Sequence, residues 1–145
     1  MQTVGVICEY NPFHLGHARQ FAAIRRQLGQ DAAIVCLMSG NYVQRGEPAV
    51  FDKLTRARAA ADAGADLVLE LPITCALQSA EGFAAGGVQI LSQLGCGYLS
   101  FGCESGSADA LLRAAGASRT PEFEAALHEA MQAGLSYAAA RQRTK

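Results

Sequence analysis

Apolar and polar positions change period several times along this chain. Val4 to Cys8 is a continuous apolar run without polar alternation, the pattern of a strand buried on both faces of a parallel sheet. From His17 to Leu28, Phe21, Ile24 and Leu28 fall on one stripe, which predicts an amphipathic helix closed by Gly29. Ala32 to Met38 reads as a second buried strand, and Ser39 to Val50 as a polar loop. Asp52 to Ala63 predicts a helix ended by Gly64, and Leu67 to Leu71 a third strand stopped by Pro72. Ser79 is placed to cap a helix running to Leu94 before Gly95. Tyr98 to Phe101 completes the set as a short fourth strand, after which Ser107 caps a further helix.

Strands alternating with helices over about 100 residues predict an α/β layer fold with a mainly parallel sheet and right-handed crossovers. Ligands in such sheets bind beyond the carboxyl ends of the strands. Here those ends lead into loops 9–17, 39–51, 72–79 and 102–107. Beyond them the pattern is helical only. Thr120-Pro121-Glu122-Phe123-Glu124 is a helix start with a cap, a proline and acids, and Leu135-Ser136-Tyr137 leads into another helix, Ala138 to Arg143. No closing strand follows before Lys145. The expectation is one domain over 1–145, with a core over 1–107, a helical tail over 108–145, and an incomplete fold.

Composition narrows the class. Half of the 145 residues are hydrophobic, enough for a packed core, and the net charge of −1 excludes a polycation. Charge is unevenly spread: there is no Lys or Arg between Ala59 and Leu112. A polyanion-facing surface must draw mainly on Arg19, Arg25, Arg26, Arg45, Lys53, Arg56 and Arg58; Arg25 and Arg26 read as solvated helix face. The five cysteines form no C-x-x-C pair, and Cys8 and Cys36 sit in buried strands as small hydrophobes. With no leader pattern and no apolar run near the roughly 18 residues of a membrane span, the expectation is a reducing cytoplasmic setting and no membrane.

The first strand opens into Glu9-Tyr10-Asn11-Pro12-Phe13-His14-Leu15-Gly16-His17. Histidines three apart share a helix face, and a helix start offers free N–H groups and a positive dipole end, an anion site fitted to polyphosphate. Two imidazoles add donors that follow charge developing on phosphoryl oxygens, and Gly16 clears space for a nucleotide. The alternatives for such a pair are a plain surface pair or half a metal site. The other histidine, His128, lies far along the chain and supplies no obvious third ligand.

After the second strand comes Met38-Ser39-Gly40-Asn41-Tyr42-Val43-Gln44-Arg45-Gly46-Glu47-Pro48. Long polar loops at strand ends tend to carry function. Asn41, Gln44 and Arg45 are donors suited to phosphate, carboxylate or ribose. Lys53 and Arg56 share a helix face that would reach an anionic ligand or RNA backbone, or would simply be solvated. Gln78-Ser79-Ala80-Glu81 reads as a helix cap. Phe101-Gly102-Cys103-Glu104-Ser105-Gly106 is a turn where a base or ribose would pack.

These segments, with Asp66-Leu67-Val68-Leu69-Glu70-Leu71-Pro72 between them, occur in an order and spacing that resembles the tRNA(Met) cytidine acetate ligases, members of the HIGH-type nucleotidyltransferase superfamily. The resemblance covers residues 2–107 closely and the tail more loosely. It implies a Rossmann-like, HUP-type fold with helices on both faces of the sheet. It implies an ATP-dependent ligase that makes acetyl-adenylate and transfers acetyl to the wobble cytidine of elongator tRNA(Met). The implied catalytic residues are His14 and His17. ATP would lie on Ile7, Cys8, Glu9, Tyr10, Asn11, Pro12, Phe13, His14, Leu15, Gly16, His17, Ala18, Arg19, Gln20 and Gly102, with Mg2+ accompanying it. Asn41, Gln44, Arg45, Lys53 and Arg56 are the substrate and RNA candidates. Members of that family are more than twice as long. Two other classes stay open: a small-molecule adenylyltransferase acting on phosphopantetheine or nicotinamide mononucleotide, and a truncated, non-catalytic nucleotide- or RNA-binding module.

Overall fold

The computed structural model describes residues 1–103 and 107–144. The chain divides into two compact units, Met1–Gly102 and Cys103–Lys145.

The first unit is built on a four-stranded parallel sheet of order β3-β2-β1-β4. Its strands are β1 (Thr3–Cys8), β2 (Ala33–Ser39), β3 (Leu67–Leu71) and β4 (Tyr98–Leu99). Register is continuous from Thr3↔Ala33 to Cys8↔Met38. β4 pairs through only Val4↔Tyr98 and Gly5↔Leu99, so it is shorter than the apolar run to Phe101 suggests.

Side chains alternate across the two central strands, and both faces are covered. On one face Val4, Val6, Ile34, Cys36 and Met38 pack with Phe21 and Ile24 of α1 (Leu15–Leu28) and Ala60 of α2 (Lys53–Asp62). On the other, Val35, Leu37 and Leu71 pack with Ala76 of α3 (Ile73–Ala76) and Leu91 of α4 (Ala80–Gln93). The short α3 follows Pro72 directly and was not signalled by periodicity. Helix α4 comes very close to β1: a Cβ placed on Gly87 would lie 2.6 Å from Ile7 Cδ1. Ile7 thereby sits pressed between sheet and helix at the carboxyl end of β1.

Ser79 caps α4 as the sequence predicts, accepting the Gly82 N–H. Asp52, read from the sequence as the first helical residue, is instead the cap of α2 and accepts the N–H groups of Leu54 and Thr55. Gly29, at φ +103°, closes α1 in a backbone region that side chains rarely enter.

Arg25 departs from its sequence reading. It is not a solvated helix residue. Its guanidinium donates to the carbonyls of Gln30, Ala32 and Gly64 and to Asp66 Oδ2, each at 2.9–3.0 Å. Asp66 Oδ2 also accepts the Ile34 N–H at 2.7 Å. Arg25 therefore fastens the turn after α1 to the turn before β3. Its partners are far away in sequence, so helix periodicity could not reveal them.

The second unit is helical: α5 (Ala108–Ala117), α6 (Pro121–Gln132) and α7 (Tyr137–Arg143). Ser107, Thr120 and Ser136 cap them, and Ala130 and Ala140 are buried where α6 meets α7.

Candidate nucleotide site

The turn after β1 is held in an unusual shape. Tyr10 takes φ +47°, a left-handed conformation costly for a bulky residue and one that clusters at functional sites. Its ring is only 2% exposed, and its hydroxyl meets Cys36 Sγ at 3.2 Å. Burial pushes the Tyr10 phenol and the Cys8 thiol up from their ordinary pKa values, so both stay protonated. The Tyr10 ring lies edge-on to Phe13 at 4.9 Å and 4.7 Å from the ring of His17. The histidine thus rests on an aromatic floor anchored in the core.

His14 is the N-cap of α1, and the two histidines form a reciprocal capping box. The Gly16 N–H donates to His14 Nδ1 at 3.0 Å. The His14 N–H donates to His17 Nδ1 at 3.2 Å. The rings stack, with centroids 3.8 Å apart. An imidazole nitrogen that accepts a backbone N–H carries no proton, which places the proton of each neutral ring on Nε2. Each ring therefore keeps a donor on the side opposite to its cap. Partial burial, and then the neighbouring His14, lower the His17 pKa, which favours this neutral form. Gly16 leaves room for the capping ring: a Cβ there would stand 2.7 Å from His14 Cε1.

A cavity of about 830 Å³ opens at this point, beyond the carboxyl ends of β1 and β4. Neighbouring crossovers leave β1 in opposite directions here, since β2 lies on one side and β4 on the other; this is the switch point at which open α/β sheets bind ligands. Of the nucleotide candidates, Ile7, Cys8, Glu9, Tyr10, Asn11, Pro12, His14, Gly16, His17, Arg19, Gln20 and Gly102 line the cavity. Phe13, Leu15 and Ala18 do not. Phe13 packs on Tyr10, His17 and Phe21, and Leu15 is 77% exposed. Val6, Gln44, Phe83 and Phe101 complete the wall. Val6 and Phe83 carry no polar signal in the sequence; only the packing of α4 on β1 reveals them. Gln20 Nε2 donates to Ser100 Oγ at 3.0 Å, tying α1 to the end of β4. A Cβ on Gly102 would meet nothing within 4 Å among the described residues. Glu104, Ser105 and Gly106 lie outside the described residues.

The loop 39–51 is a built structure. Tyr42 bridges to Pro48, and the Val43 N–H donates to the Glu47 carbonyl at 3.0 Å. Glu9 Oε1 accepts the Gln44 N–H at 2.7 Å, and Asn11 Oδ1 accepts the Val50 N–H at 2.7 Å. Three of the five substrate and RNA candidates are engaged in this scaffold. Asn41 Oδ1 accepts the Lys53 N–H at 3.0 Å, and Lys53 Nζ pairs with Glu70 at 2.5 Å. Arg56 does not share an open face with Lys53. It is 1% exposed and donates to the carbonyls of Glu9, Ser39, Gly40 and Phe51. A guanidinium so committed is closed to RNA. Gln44 and Arg45 are the two whose side chains have no partner among the described residues.

No group of three or more His, Cys, Asp or Glu side chains among the described residues is arranged to hold a metal ion. A family model described as HIGH Nucleotidyl Transferase matches residues 1–145. The chain belongs to the HIGH nucleotidyltransferase family. Its core is that family's Rossmann-like sheet, with the histidine pair at the mouth of the cavity. Among curated members of this family it is similar to the tRNA(Met) cytidine acetate ligase of an Exiguobacterium species, at 48% identity over 99% of this chain and 39% of the relative. The Acetivibrio thermocellus protein of the same name is 45% identical over 98% of this chain and 35% of its own length. A crystal structure of Thermotoga maritima TmcAL bound with alpha-thio ATP matches with a TM-score of 0.90 and 40% identity, over 99% of this chain and 35% of that one. The chain therefore spans less than two fifths of the length of these relatives.

Proposed function

We propose that this chain carries the nucleotide-binding, adenylate-forming part of a tRNA(Met) cytidine acetate ligase. The observation that carries the reading is the stacked His14–His17 pair, both members lining the cavity, in a chain 45–48% identical to ligases of that name. ATP occupies the cavity, with the lining residues of the 7–20 segment and Gly102 around it. Magnesium accompanying the nucleotide would neutralise phosphate charge, and among the described residues no acidic cluster is arranged to hold it. A carboxylate oxygen of acetate attacks the α-phosphorus, and the bond to the bridging oxygen breaks to release pyrophosphate. The exocyclic amine of the wobble cytidine in elongator tRNA(Met) then attacks the acetyl carbon. AMP leaves and the amine loses a proton. With a tRNA as acceptor, the reaction belongs to the cytoplasm.

The residues suit this chemistry. The two Nε2–H donors and the α1 N-terminus offer positive potential where charge builds on the phosphates. The cap holds both rings before substrate arrives, so no reorganisation is needed during the reaction. Gln44 and Arg45 are the side chains left to meet acetate or RNA. ATP–pyrophosphate exchange by the purified chain, with and without acetate, tests the reading. Acetate-dependent exchange is the expected result. Exchange that requires phosphopantetheine instead would replace the ligase with a small-molecule adenylyltransferase.

A further inference from the structure

We propose that Arg56 is a positioning residue that locks loop 39–51 to the nucleotide segment, so that the two walls of the cavity behave as one body. The proposal rests on reading the cavity as a nucleotide site. Its basis is the juxtaposition of four backbone carbonyls around one buried guanidinium. Nε serves Phe51 at 3.0 Å, Nη1 serves Glu9 and Ser39, and Nη2 serves Gly40. These carbonyls come from the end of β1, the end of β2, and both ends of the loop. A planar fork with five N–H groups can satisfy such a set; an ammonium on a flexible stem cannot hold the same directions.

The lock is continued by one further link. Glu9, whose carbonyl Arg56 holds, accepts the Gln44 N–H through its side chain. Glu9 and Gln44 both line the cavity, and Arg45 follows on the exposed rim. A path of hydrogen bonds thus runs from Arg56 through Glu9 to the loop residues left free to meet a second substrate. Stability alone would not require the path to end there. No carboxylate among the described residues is ion-paired with Arg56; Glu9, Asp52 and Glu70 favour its charge from farther off, and taking a guanidinium out of water is costly.

The test uses the whole chain and trypsin, which cleaves after exposed Arg45. Cleavage at a structured loop requires local opening. If loop and nucleotide segment move together, ATP at ten times its Kd slows cleavage at Arg45 by about tenfold, because the opened state does not hold the ligand. In Arg56→Lys, ATP affinity measured by calorimetry stays within a few-fold of wild type while this protection disappears. A merely structural Arg56 would lower the melting midpoint and leave the ATP-linked protection in place, which overturns the proposal. A second variant, Glu9→Ala, keeps the Arg56 fork and cuts the link to Gln44; its cleavage at Arg45 without ATP is expected to be faster than wild type, and an unchanged rate also overturns the proposal. Wild-type chain that binds ATP without protecting Arg45 sinks the coupling and leaves the nucleotide site standing. Wild-type chain that binds no ATP sinks the nucleotide reading instead. The Glu9→Ala cleavage rate then still decides whether the loop is anchored as described.

Discussion

At the scale of single residues, the histidine pair sets the sharpest expectations. Removing one preorganised donor from a developing oxyanion costs about 3–4 kcal/mol of barrier. His17→Ala is therefore expected to cut acetate-dependent pyrophosphate exchange by two to three orders of magnitude, and circular dichroism is expected to show an intact fold. Full exchange in that variant would remove His17 from the chemistry. The pH dependence follows from the lowered His17 pKa, whose ordinary value is 6.5. Because the folded state binds this proton less readily, unfolding takes up protons in the window just below the ordinary value. The stability contributed by neutral His17 is complete above that window and declines as pH falls through it. Melting midpoints followed from about pH 7.5 to 5 should drop less steeply in His17→Asn than in wild type; parallel curves would contradict the shift. Gly102 separates binding from folding. A Cβ there meets no neighbour among the described residues, so Gly102→Val should melt like wild type yet bind ATP more weakly in calorimetry.

At the scale of elements, much was legible because much is local. The strands β1 and β3, the caps Ser79, Ser107 and Thr120, and the closing Gly29 follow from patterns only a few residues long. Helix α1 begins at Leu15, two residues before the expected start at His17, because His14 caps it and His17 completes the box from the first turn. What escaped depends on distance along the chain. Arg25 and Arg56 look like ordinary helix cations until residues 39 and 47 positions away supply their carbonyl partners. Strand β4 is cut short by how few residues of β1 face it. The α4–β1 contact is also invisible in the sequence, but it is testable. Gly87→Ala would drive a methyl against Ile7, and overpacking of this kind costs about 1–3 kcal/mol. Urea denaturation should show that loss, and an unchanged midpoint would mean that α4 can slide away from the sheet.

For the molecule as a whole, the cavity draws on β1, α1, loop 39–51, α4 and the segment after β4. A ligand bound there would bridge elements that are far apart along the chain. Binding confined to the folded state adds about 2.7 kcal/mol at a hundred times Kd, so saturating ATP should raise the melting midpoint clearly, and His17→Ala should blunt the shift. No shift in wild type would argue that the cavity takes another ligand. Unit-scale organisation was only partly readable. Alternating periods suggested an α/β core with a helical tail, while the division after Gly102 depends on how contacts cluster in space.

The reciprocal cap on α1 also sets what each of these two positions must do. Helix starts usually take serine, threonine, aspartate or asparagine. An aspartate would satisfy the same amide, yet it would turn a negative charge toward incoming phosphates. A serine would satisfy it with a hydroxyl too short to reach past the backbone. Imidazole has two faces with opposite tasks, one nitrogen accepting from the peptide and the other, across the ring, giving a proton to what arrives from solution. The helix is thus finished by groups that also line the cavity, and under the proposed function a mutation cannot repair one duty without forfeiting the other.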